Sequence, residues 1–104
     1  MPRVFILEQP KANIDISHAG TFGPITYVFG PKDRRSSVFN VGDYIGDVIS
    51  SLKRNKFDPN EDFFCLAGST NPLSLALAGM LEEYGALKLL IFNASEGRYV
   101  EKEL

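Results

Sequence analysis

The sequence predicts an α/β fold: a small, mostly parallel sheet of about five strands with two main helices and a C-terminal antiparallel hairpin. Three observations predict it. Short runs of β-branched and aromatic residues alternate with two stretches of helical periodicity. The run Phe63-Phe64-Cys65-Leu66-Ala67 is apolar at consecutive positions, as a strand buried on both faces must be. The chain then closes with an apolar strand, a polar turn and a charged strand.

Taken in order, Val4 to Leu7 is a short β-rich run stopped by Gln9-Pro10. Lys11 to Pro24 is irregular, with Asp15 to Ala19 a single helical turn. Ile25 to Phe29 is a second strand, ended by Gly30-Pro31. After the polar loop Lys32 to Ser37, Val41, Ile45, Val48, Ile49 and Leu52 recur at helical spacing, with Asp47, Ser50 and Lys53 on the opposite side. Asn40 or Asp43 is placed to cap this helix, and Lys53, Arg54 and Lys56 complement the dipole at its end. The third strand, Phe63 to Ala67, leads through Gly68-Ser69-Thr70 to a helix with Asn71 at its cap and Pro72 at its first position. Leu73, Ala76, Leu77, Met80, Leu81 and Tyr84 form that helix's apolar stripe, and Gly85 supplies a left-handed stop. Leu87 to Phe92, the turn Asn93 to Gly97 and the strand Arg98 to Leu104 complete a hairpin.

This order implies right-handed crossovers and parallel pairing of the second, third and fourth strands. The result is a single Rossmann-like α/β domain over residues 1–104, of two or three layers. Strand order and the direction of the first strand are not set by the pattern. Two crossover helices wound in one direction would cover one sheet face only, yet the central runs are apolar on both. The second face therefore needs the segment Lys11 to Gly23, a reversal of winding, or another copy of the chain.

Composition narrows the function classes. The 13 acidic and 11 basic residues give a net charge of -2, which does not favour nucleic acid as a partner. The apolar run at the N-terminus meets Glu8 too soon for a signal segment or membrane span. Cys65 is the only cysteine, which suits a reducing, cytoplasmic compartment and rules out an intrachain disulfide or a cysteine-based zinc cage.

Parallel strands deliver their carboxyl ends to one edge, where open α/β sheets place their ligands. Lys32, Arg34 and Arg35 follow the second strand, Gly68, Ser69, Thr70 and Asn71 the third, and Asn93 the fourth, so these residues are the expected ligand-binding set. A helix starting there aims unpaired amide hydrogens at the edge, and the hydroxyls of Ser69 and Thr70 add donors for a phosphate. The same Gly-Ser-Thr-Asn-Pro run also reads as a plain turn and helix cap, and it carries neither the Walker loop nor the dinucleotide fingerprint. No catalytic or metal-ligating set is expected. His18, with Asp15 and Ser17 in one short segment, reads as structural, since triad partners converge from separate elements. Cys65 reads as a buried, unreactive thiol, and Asp58, Glu61 and Asp62 as a solvated turn at the opposite edge.

From Asp62 to Leu104 the strand, the Ala-Gly-Ser-Thr-Asn-Pro turn, the helix ending Glu-Glu-Tyr-Gly, the Leu-Lys-Leu-Leu-Ile-Phe strand and the Gly-Arg-Tyr-Val hairpin resemble small α/β proteins encoded by tailed bacteriophages. That resemblance, carried by the C-terminal part alone, implies a viral origin and a host-cell cytoplasmic location. The group has no assigned activity, so it implies no chemistry.

The leading expectation is a non-enzymatic module, without a cofactor, that binds a phosphate-bearing small molecule at the carboxyl edge. The alternative is a structural or interaction protein acting through a homodimeric or partner interface on an apolar sheet face.

Overall fold

The computed structural model describes residues 1–11 and 14–104. Among the described residues five strands form one sheet: β1 Val4–Glu8, β2 Ile25–Phe29, β3 Phe63–Cys65, β4 Lys88–Asn93 and β5 Arg98–Glu103, in the spatial order β2-β1-β3-β4-β5. β1 pairs parallel with both β2 and β3, β3 pairs parallel with β4, and only β5 runs antiparallel. The first strand, whose direction the pattern left open, is thus parallel and internal. Two helices cross between parallel strands, α1 Val41–Arg54 and α2 Thr70–Tyr84.

Sheet order also answers what covers the second face. The chain steps from β1 outward to β2, then back past β1 to β3, so its winding reverses. Crossovers of one hand then lie on opposite faces. α1 and α2 pack on the face of Phe5, Leu7, Val28, Phe64 and Leu89. The β1–β2 connection, part of which lies outside the described residues, contributes the 3-10 helix Ser17–Phe22 on the other face. There Ala19 and Phe22 close over Val4, Ile6, Phe63, Cys65 and Leu90. Alternation along the strands explains the split, because Val4 and Ile6 point one way and Phe5 and Leu7 the other. Each large side chain buried in this way contributes about 1.5–3 kcal/mol.

Three local expectations are corrected. β3 ends at Cys65, two residues early, because the Ala67 amide turns back to the Cys65 carbonyl at 3.0 Å. α2 begins at Thr70 with Ser69 at its cap position, and neither Ser69 nor Asn40 at the start of α1 makes a side-chain cap hydrogen bond. Pro72 is therefore the third helical residue, still within the first turn where a missing amide hydrogen costs nothing. The buried face of α1 is turned by about one residue from the expected stripe, with Tyr44, Val48, Ser51 and Leu52 inside and Val41 half exposed. A buried Ser51 is tolerated because its hydroxyl donates to the Val28 carbonyl. The predicted stop of α2 is present: Gly85 has φ 81° and its amide donates to the Leu81 carbonyl.

In the turn from Asp58 to Asp62, Asp58 and Glu61 are exposed as the solvated reading expects, and Asp62 is the exception. Asp62 is 3% exposed. Its carboxylate accepts from the amides of Arg3 and Asp58 at 2.9 and 2.8 Å and from the Arg3 guanidinium at 3.2 Å. It fastens the start of β1 to the loop before β3.

Candidate functional site

The carboxyl ends of β2, β1, β3 and β4 share one edge, so Gly30, Glu8, Gly68 and Asn93 lie along the same rim. Between β1 and β3 the chain departs in opposite directions, and that switch point is where an open parallel sheet leaves a crevice. A cavity of about 590 Å³ lies at this edge, lined by Glu8, the loop Asp33 to Val38, Tyr44 and Pro72.

Hydrogen bonds hold its main wall, the loop after β2. Asp33 and Gly30 exchange two of them, the Gly30 amide donating to the Asp33 carboxylate at 2.7 Å and the Asp33 amide to the Gly30 carbonyl at 3.1 Å. The Ser36 amide donates to Asp47 on α1 at 2.7 Å, and the Asn40 amide to the Ser37 carbonyl at 2.9 Å. The Arg35 guanidinium lies over the Phe29 ring, 5.5 Å from its centroid, and reaches the Glu8 carboxylate at 2.6 Å. Tyr44, buried from α1, packs on Phe29 with ring centroids 5.8 Å apart. Burial pushes its phenol up, the Glu8 charge adds to that and Arg35 opposes it. It therefore stays protonated, a donor at neutral pH.

Of the expected ligand-binding residues, Arg34 and Arg35 line this cavity and Pro72 brings the start of α2 to it. Ser69, Thr70 and Asn71 are exposed on the adjoining first turn of α2, and Gly68 precedes them with φ 133°. Lys32 is exposed in the turn after β2, outside the cavity wall. Asn93 shares the rim, but three strand spacings of roughly 4.8 Å separate β4 from β2. Its side chain organises its own hairpin, accepting from the amides of Ser95 and Glu96 at 3.0 and 3.3 Å. Glu8, Ser36, Ser37 and Tyr44 line the cavity without having been singled out in the sequence. Tyr44 carried a usable signal, since it precedes Val48 by four residues on the same helix face.

The other reactive residue types are engaged elsewhere. On the opposite face, His18 accepts the Tyr99 amide at Nδ1 at 3.0 Å and stacks on the Tyr99 ring. Asp15 is occupied by the Ser17 amide and hydroxyl at 2.8 and 2.7 Å, which hold its carboxyl below the usual range. Burial pushes the Cys65 thiol up to about 11, against a hydrogen bond with Tyr99 that lowers it. Among the described residues no group of three or more His, Cys, Asp or Glu is placed to hold a metal ion. No helix of the described residues is long and apolar enough to cross a membrane.

Comparison with known families matches residues 2–104 to the one described as phage Pam3 gp32-like protein, extending the phage resemblance from the C-terminal part to nearly the whole chain. No curated protein and no solved structure matches.

Proposed function

The chain belongs to the phage Pam3 gp32-like protein family, and we propose that it is a non-enzymatic module binding a phosphate-bearing small molecule at the carboxyl edge of its sheet. The observation that carries this reading is the cavity of about 590 Å³ at the winding reversal, with Arg34, Arg35, Ser36 and Ser37 on its wall. Guanidinium forks match phosphate oxygens, hydroxyls add neutral donors, and the adjoining start of α2 adds partial positive charge. In this proposal Ser69, Thr70 and Asn71 meet the ligand from the α2 side. A lone buried cysteine and the phage family suit the cytoplasm of an infected host.

Calorimetric titration with glycerol phosphate tests the reading. The expected result is saturable binding, weakened about tenfold or more by Arg34→Ala, the loss of one charge-assisted hydrogen bond. No heat of binding at millimolar ligand, or unchanged affinity in the variant, would reject it.

A second reading, a homodimer through the β4–β5 hairpin, rests on another observation. Ile91 and Phe92 are 38% and 47% exposed. With Val100 they line a depression of about 510 Å³ on this hairpin. Sedimentation at high protein concentration checks it: a dimer that Phe92→Asp dissociates supports this reading, and a monomer removes it.

A further inference from the structure

We propose that Glu8 acts as a built-in counter-anion at the cavity, so that the site accepts an anion carrying hydroxyl or ammonium donors and discriminates against a dianion with no donor of its own, such as sulfate. This inference rests on the phosphate-binding reading above and names the ligand class and the residue that sets it.

Four observations carry it. Glu8 ends the internal strand β1, on the β1 side of the winding reversal, where a ligand at the crevice must meet it. Its carboxylate holds Arg35 at 2.6 Å, so an incoming anion has to take that guanidinium away from an anion already present. Glu8 and Arg35 line both the cavity of about 590 Å³ and a neighbouring one of about 230 Å³ bordered by Gln9, Tyr27 and Phe29. Their ion pair is the partition between the two. Finally, the wall charges cancel, Glu8 and Asp33 against Arg34 and Arg35, and the Asp33 carboxylate is committed to the Gly30 amide.

The consequence is electrostatic. A bare dianion at Arg35 would lie beside Glu8 with nothing between them, and close like charges in a partly desolvated cleft repel strongly. A molecule that places its phosphate on the arginines and a hydroxyl or ammonium on Glu8 replaces the contact Glu8 gives up. The smaller cavity provides room for that second group once Arg35 turns from Glu8 to the ligand.

The test compares sulfate with glycerol phosphate on the wild-type chain and on Glu8→Gln, with Glu8→Thr as a second variant should the first fail to fold. Expected is a wild-type preference for glycerol phosphate of about tenfold, falling to about twofold or less in Glu8→Gln because sulfate binds more tightly there. Equal affinities in the wild type, or unchanged sulfate affinity in the variant, would overturn the inference and leave the binding reading standing. If neither probe binds either protein, both fall together.

Discussion

Asp62 shows how a single buried carboxylate organises a strand end. Its partners are the Arg3 amide and guanidinium and the Asp58 amide, and the Arg3 guanidinium also reaches the Lys56 carbonyl at 2.8 Å. Asp62→Ala leaves those donors facing a void, and we expect a loss of about 2–4 kcal/mol, read as a lower urea midpoint with unchanged slope. Local sequence gives no sign of this role, since Arg3 lies 59 residues away and an Asp-rich turn ordinarily reads as solvated. Cys65 was legible, because its apolar strand neighbours already implied burial. In the folded chain its thiol is pushed up to about 11 and the Tyr99 phenol to about 12, both chiefly by burial. Folded-state values above the unfolded ones favour the protonated forms. That contribution is fully present below the ordinary thiol value near 9 and is lost as pH rises through about 11. Stability should therefore fall over that interval in urea titrations, and Cys65→Ala should flatten the fall.

At the scale of elements, β2, α1, α2 and the hairpin were readable because composition and period suffice for amphipathic segments. Offsets arose where tertiary partners overrode the local pattern. The face of α1 turned because the Val28 carbonyl satisfies Ser51, so a residue counted as polar points inward. β3 shortened because the backbone turns at Ala67. The junction between the 3-10 helix and β2 is the tightest seam. The Val4 amide donates to the Pro24 carbonyl at 2.8 Å, and a Cβ on Gly23 would lie 2.2 Å from the Pro2 carbonyl oxygen. Since that neighbour is backbone, Gly23→Ala must displace β1 or the end of the 3-10 helix. Its Tm should drop by roughly 5 °C or more. Gly20→Ala is the control: its nearest neighbour is the Ile25 side chain at 3.7 Å, so its Tm should move by no more than about 2 °C.

For the whole molecule, the decisive feature is the placement of β1 between β2 and β3. It reverses the winding, puts the 3-10 helix over the face that would otherwise lie bare, and sets Glu8 beside the loop after β2. Arg34 and Arg35 were accessible to sequence reasoning because they follow a well-marked strand. Glu8 was not, because its relation to them depends on sheet order, which no local period encodes. Asn93 illustrates the converse: the shared edge followed from parallel pairing, while its distance from the arginines follows from β1 and β3 lying between. The cavity itself is best probed by proton–nitrogen correlation spectra recorded during a glycerol phosphate titration. Binding there predicts shifts concentrated at Glu8, Asp33 to Val38, Tyr44 and the first turn of α2, together with the Arg35 side-chain signal. Silence at those positions, or shifts confined to the β4–β5 hairpin, would contradict it.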